Sequence, residues 1–195
     1  MGKTLVMQKA LTCFTGHQLV PYSFSSFTSK QQVQESLDER LEKRRRNQLG
    51  GREGKQVIIF VDDVSMPAYD GFGTQPSIEL MRQLVTCRGF YDQLHWKSVS
   101  DATLACVTAP PEGGRKVMSP RFTSCFAVLC MPPASEESFV RIFNTILQRY
   151  ISHEKGFRKE VTQFTGKIVD AVLLLYEKVA SGLKSTPLRA HYNFN

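Results

Sequence analysis

Val57-Ile58-Ile59-Phe60-Val61-Asp62-Asp63 decides how this sequence is read. Five consecutive apolar residues, three of them β-branched at the Val and Ile positions before Phe60, make an uninterrupted hydrophobic strand. A strand half-exposed to water would alternate polar and apolar residues; a continuous run suits a strand buried on both faces, as in a parallel α/β sheet. The run ends in two adjacent carboxylates. In such sheets ligands bind beyond the carboxyl ends of the strands, so the sequence predicts a site at Asp62-Asp63.

Working outward, residues 3–14 read as a helix carrying Leu5, Val6, Leu11 and Phe14, and Leu19 to Phe27 as a strand. Residues 30–46 read as a polar helix, with Val33, Leu37 and Leu41 recurring every fourth position. Gly50, Gly51 and Gly54 mark a loop before the central run. Downstream, a helix is expected over 76–87 with Pro76 in its first turn. Strands are expected at Ala102–Thr108 and Phe126–Met131, separated by the Pro/Gly loop at 110–114 and closed by Pro132-Pro133. From Ser135 the pattern becomes helical. Phe139, Ile142, Phe143, Ile146 and Leu147 share one face, and a second long helix covers roughly 160–182. The expected division is an α/β part over 1–134 and a helical part over 135–195.

Three segments can carry chemistry. A phosphate-binding ATPase needs a carboxylate at the edge of a buried strand to hold Mg²⁺, and a second can polarise the attacking water. Asp62 fits the first role and Asp63 the second, though Glu is the usual residue there. Standing alone, the pair reads equally well as a buried strand ending in a polar loop. Gly2-Lys3-Thr4 matches the tail of the phosphate loop GxxxxGKT/S and leads straight into a helix. Lys3 would reach the β/γ-phosphates, the Thr4 hydroxyl would ligate Mg²⁺, and the helix N-terminus favours the anion. GKT occurs by chance too, but the order GKT, helix, strand, helix, apolar run with Asp62-Asp63 is the one an α/β ATPase requires. The third segment, APPEGGRKVMSPR at 109–121, ends in Arg121. Ring ATPases place an arginine here, facing the neighbouring nucleotide; an ordinary surface loop is the bland reading.

Composition narrows the class. A chain of 195 residues with 42% hydrophobic and 22% charged residues is ordinary for a globular domain. No stretch of about 18 apolar residues occurs, and no leader pattern opens the chain, so neither membrane partners nor secretion are expected. Five cysteines without a CxxC pair suggest neither a disulfide framework nor zinc. The net charge is +7. Its densest basic run, Lys43-Arg44-Arg45-Arg46, reads as a solvated helix end that complements the dipole. Aromatic residues do not interleave with a basic stripe, so nucleic acid is not an expected partner.

Longer phrases sharpen the reading: RLEKRRRN at 40–47, IIFVDDVSMP at 58–67, FGTQPSIELMRQ at 72–83, Gly89-Phe90-Tyr91-Asp92, APPEGGRKVMSPRF at 109–122 and TPLRAHYNFN at 186–195. Together these resemble a dynein heavy chain, in the third of its six AAA+ modules, and cover nearly the whole chain. The GGR form of the loop points to the axonemal type. The resemblance implies a P-loop AAA+ three-layer αβα sheet that lacks its first strand, followed by a partial all-helical small subdomain. It implies ATP or ADP with Mg²⁺ as ligands, bound through Gly2, Lys3, Thr4 and Asp62, with Asp63 catalytic and Arg121 facing the preceding module's site. It also implies a nucleotide-gating role in a minus-end-directed microtubule motor. Neighbouring AAA+ modules of the ring are the implied partners. Intermediate chains, light chains and microtubules would be reached only through the full motor, in the cytoplasm and the cytoskeleton of the cilium or axoneme.

Departures bear on activity. The sensor position at the end of the fourth strand, often Asn, falls on Thr108 or Ala109. Ser65 replaces a usual Asn, and Ser124 a usual Arg. The chain starts inside the phosphate loop and stops before the second sensor arginine, so a truncated, inactive fragment is expected. Two other readings compete with the motor module. One is a noncatalytic remnant that keeps the AAA+ shape; the other is a separate P-loop NTPase acting on nucleic acid.

Overall fold

The computed structural model describes residues 2–111, 115–154, 157–184, 186 and 188. The tip of the Pro/Gly loop at 112–114 and most of the closing phrase at 186–195 lie outside the described residues. The chain forms two compact units, residues 2–129 and the residues from 130 onward.

In chain order the first unit runs α1 (Lys3–Thr12), β1 (His17–Ser23), α2 (Lys30–Arg40), β2 (Glu42–Arg45), β3 (Gln48–Gly50), β4 (Gln56–Asp62), α3 (Pro76–Cys87), β5 (Gly89–Asp92), β6 (His95–Val99), β7 (Ala102–Cys106) and α4 (Pro120–Thr123). The second contains α5 (Glu136–Arg149), a π-helical turn over Tyr150–Glu154, α6 (Lys159–Gln163) and α7 (Thr165–Gly182).

The apolar run at 57–61 lies in β4, the centre of a three-stranded parallel sheet of order β1-β4-β7. Ile58 lies opposite Leu19 on one side and Thr103 on the other. Val57, Ile59 and Val61 are fully buried, and Ile58 and Phe60 nearly so. This is the two-sided burial that a continuous apolar strand requires, worth roughly 1.5–3 kcal/mol per large side chain. Parallel neighbours need crossovers, and α2 and α3 supply them. Ser29 caps α2 through a reciprocal box with Gln32, and Pro76 opens α3. Val33 and Leu37 of α2, and Ile78, Met81 and Leu84 of α3, complete one core with Val20, Ile59 and Phe90. A parallel sheet with covering helices is the α/β fold expected of the sequence.

Two local expectations are corrected, and one sheet has no counterpart among them. The helix placed over 30–46 stops at Arg40. Leu41 turns to an extended backbone and is buried, while Gln18 Nε2 donates to the freed Arg40 carbonyl at 3.0 Å. The basic run therefore forms exposed edge strand β2, not a helix end, and Arg44 pairs with Asp101 at 3.0 Å. The unit also carries another sheet, of order β2-β3-β6-β5, whose short strands have no continuous apolar run. Its β5–β6 hairpin turns through Gln93-Leu94, with Gln93 at φ 54°, and starts at Gly89, where an added Cβ would collide with the Lys97 carbonyl oxygen. Second, Phe126–Met131 is not a strand. A strand exists by pairing, and among the described residues none pairs with this segment; Val128 and Leu129 are exposed.

In the second unit, Ser135 caps α5 by accepting from the Ser138 amide at 3.3 Å. Helices α5 and α7 pack on each other, with Phe139 and Tyr176 rings 6.3 Å apart.

Candidate nucleotide site

The site assembles where β4 ends. Gly2 stands at the N-cap of α1 with φ 80°, a left-handed conformation that a side chain would strain. Its carbonyl accepts from the Val6 amide at 2.9 Å, so the helix is wound from its first residues and presents Lys3 and Thr4 in its first turn. Thr4 Oγ1 donates to Asp62 Oδ1 at 3.1 Å, and the same oxygen accepts the Asp63 amide at 3.0 Å. The sequence-predicted residues Thr4 and Asp62 are thus brought together across the unit, and Gly2 and Lys3 stand at the same helix terminus.

Asp63 turns the chain off the strand. Its φ is 50°, unusual for a residue with a side chain, and its carbonyl closes a tight turn onto the Met66 amide at 3.0 Å. Its carboxylate holds a partner the sequence did not suggest: Arg115 Nη2 lies 3.3 Å from Asp63 Oδ1. Arg115 leaves the Pro/Gly loop beside the strand because the Lys116 amide is bonded to the Ser65 carbonyl at 3.2 Å. Only a contact between positions 52 residues apart reveals the pair, and no local pattern signals it.

Ser65 and Thr108 complete the floor. Ser65 is buried, and its hydroxyl lies 2.8 Å from that of Thr108. Thr108 has one proton and gives it to the Ala109 carbonyl at 3.0 Å, so Ser65 donates to Thr108. The hydroxyl at the expected sensor position is therefore committed to local bonds. Arg121 stands apart, exposed in α4; its backbone bonds run to Ser119, Ser124 and Cys125.

The donor set tests the fit to a cation. One hydroxyl and one carboxylate in contact, with a second carboxylate adjacent, are hard oxygen ligands of the number Mg²⁺ takes from protein, the rest being water and phosphate. The described residues hold no cluster of three or more His, Cys, Asp or Glu side chains that would suggest a dedicated metal cage. A helix N-terminus with Lys3 beside it suits a phosphate. The residues fit both groups.

A family model for the P-loop containing dynein motor region matches residues 1–134. The chain belongs to the dynein motor family. It is 40% identical to human dynein axonemal heavy chain 6 over 100% of this chain and 5% of that protein. It is 35% identical to human dynein axonemal heavy chain 1, again over 100% of this chain and 5% of the relative. Rat dynein axonemal heavy chain 12 is 36% identical over 89% of this chain and 6% of its own length. The dynein module described here therefore spans about a twentieth of those heavy chains. The matched family model is that of a P-loop motor region, a kind of module that implies nucleotide binding in general. No helix among the chain's described residues is long and apolar enough to cross a membrane.

Proposed function

We propose that this chain is the third AAA+ module of an axonemal dynein heavy chain, binding ATP and ADP with Mg²⁺ and gating the motor through their exchange. The single observation that carries the reading is the bond from Thr4 to Asp62. It joins the tail of the phosphate loop to the end of the apolar strand, the two parts such a site needs.

Each side chain has a role. Lys3 takes the outer phosphates, while Thr4 and Asp62 hold Mg²⁺, which when bound neutralises phosphate charge. Asp63 orients the attacking water, and Arg121 serves the preceding module's site. The committed Thr108 hydroxyl supports slow turnover, which suits gating better than power generation. Residues 1–134 act as the large subdomain and 135–195 as the helical one. The ring's neighbouring modules are direct partners; microtubules and accessory chains are reached through the whole motor in the axoneme.

The test is titration of the chain with a fluorescent ADP analogue and Mg²⁺. Lys3→Ala is expected to weaken binding by about tenfold to a hundredfold, since a charged hydrogen bond contributes about 1.5–3 kcal/mol. Equal affinity of wild type and variant would remove the proposal.

A further inference from the structure

We propose that Arg115 is a second phosphate-binding cation of this site, resting on Asp63 until the terminal phosphate of a nucleoside triphosphate competes for it. The inference rests on the nucleotide site proposed above.

Three observations carry it. The guanidinium is engaged by one arm only, Nη2 on Asp63 Oδ1, and 3.3 Å is long for a charge-assisted bond, which runs about 2.7–2.9 Å. Its Nε is shielded from solvent, yet has no acceptor among the described residues. A donor of this kind, held beside an anion site, is suited to an additional oxygen. Finally, the Lys116–Ser65 bond holds the backbone after Arg115 beside the strand end, and the guanidinium reaches Asp63, the residue next to the Asp62 that Thr4 contacts.

A planar guanidinium matches the paired oxygens of a phosphate better than one carboxylate oxygen held end-on. With a triphosphate bound, Arg115 turns to the terminal phosphate and Asp63 is left free to orient water. With a diphosphate bound, no terminal group competes, and Arg115 stays on Asp63. The exchange makes Asp63 available only when there is something to hydrolyse. An ordinary surface ion pair would do none of this. With side chains 32% and 42% exposed, such a pair would contribute little and would not distinguish the two nucleotides.

The experiment measures affinities of the full chain for fluorescent ADP and ATPγS, each with Mg²⁺, in wild type, Arg115→Gln, Asp63→Asn and the double variant. Arg115→Gln is expected to weaken ATPγS about tenfold and ADP by less than about twofold. Asp63→Asn, by releasing the guanidinium, is expected to tighten ATPγS about threefold, and the gain to vanish without Arg115. Equal effects of Arg115→Gln on both nucleotides, or an Asp63→Asn gain that persists in the double variant, overturns the proposal. Should Arg115→Gln also lose its circular dichroism spectrum, Arg115→Lys decides. A reduced ATPγS preference supports the proposal, and an unchanged one overturns it. Binding that depends on Lys3 but not on Arg115 overturns this inference alone. Binding that is independent of Lys3, or absent, overturns the nucleotide site and this inference together.

Discussion

Thr4 Oγ1 donates to Asp62 Oδ1 at 3.1 Å, joining the first turn of α1 to the last residue of β4. α1 buries no residue, and Leu5 is 72% exposed, so apolar packing does little to hold the helix start in place. The hydroxyl must position it. Thr4→Val is therefore expected to remove the Mg²⁺ dependence of nucleotide affinity and to lower stability by about 1 kcal/mol, the net worth of one hydrogen bond. Thr4→Ser is expected to restore both. Titration with and without EDTA, together with urea unfolding, checks this. A valine variant that keeps its Mg²⁺ dependence would place the cation elsewhere.

A second expectation concerns Asp63. Binding is assigned to Lys3, Thr4 and Asp62, whereas Asp63 is assigned to the water. In a heavy chain carrying this module, Asp63→Asn is expected to slow single-turnover hydrolysis here by about 100-fold while changing nucleotide affinity far less. Unchanged hydrolysis would mean that the site only stores nucleotide.

These assignments divide into what local sequence could reveal and what it could not. The strand that ends at Asp62-Asp63 was legible because a continuous apolar run of five suits a strand buried on both faces. The helix that opens at Lys3 was legible because GKT ahead of an apolar-patterned stretch has a physical reading. β2 was not legible: Glu42, Lys43, Arg44 and Arg45 are all exposed, and an edge strand without a buried face leaves no period-two pattern. β5 and β6 are four and five residues long and hide in a stretch that has no strong apolar run. Phe126–Met131 failed in the opposite direction. Apolarity makes a strand possible, but only pairing makes it form, and this segment pairs with no strand among the described residues. Arg115 could not be found at all, because its meaning lies in a partner from another loop.

Burial pushes the Cys106 thiol up to about 12. At the same pH it carries about a thousandfold less thiolate than an ordinary cysteine, and thiolate is the nucleophile. Cys13, Cys87 and Cys130 are exposed. At pH 8, iodoacetamide is expected to modify these three and to spare Cys106 until urea is added. The sign for stability follows. An unfolded thiol ionises near pH 9 while the folded one keeps its proton, so this contribution is intact below pH 9 and declines above it. Peptide mass spectrometry after timed quenching decides, and early labelling of Cys106 would contradict its burial.

Lys97 clamps the hairpin to α2. Its Nζ lies 2.6 Å from Asp38 and 2.8 Å from Asp92, with only 18% of the side chain exposed. Burial alone would lower its pKa, but the hydrogen bonds to Asp38 and Asp92 outweigh it and raise the value. The hydrogen bond from Lys97 in turn holds the Asp92 carboxyl below the usual range. Lys97→Met leaves two carboxylates facing each other's space and is expected to cost about 1–3 kcal/mol. Because the Asp92 value is depressed, its share is present above about pH 4 and is lost on further acidification. Asp92 is 39% exposed, so that share is at most about 1 kcal/mol. Urea midpoints at pH 7 and pH 3 check it: the gap between wild type and variant should narrow in acid, and a constant gap would exclude the ion pair as its source.

The last expectation follows from the open edge of the parallel sheet. β7 pairs with β4, and beyond it no strand is found among the described residues. The Asp101 carbonyl and the Val107 amide bond to β4. In a parallel ladder alternate residues face alternate sides, so the backbone groups of Ala102, Leu104 and Cys106 point outward. A row of this kind is a template for another strand. Exposed apolar residues are also at hand in the same chain, with Val128 and Leu129 at 74% and 88% exposure. Water already bonds an open edge, so each strand–strand bond gains only about 0.5–1.5 kcal/mol net, but several form at once and whole domains are stable by only about 5–15 kcal/mol. Joining two edges and covering the apolar residues beside them therefore favours association. The chain is expected to self-associate as its concentration rises, with increased dye binding to exposed apolar surface. Thr103 is the exposed position on β7. Thr103→Lys puts a charge on that edge without entering the core and is expected to shift the association midpoint upward by about tenfold. Sedimentation velocity across a hundredfold dilution series reads the result. A wild-type monomer throughout, with a sharp two-state urea transition, would show that the β7 edge is already protected. Association that Thr103→Lys leaves unchanged would move the contact to the exposed apolar residues.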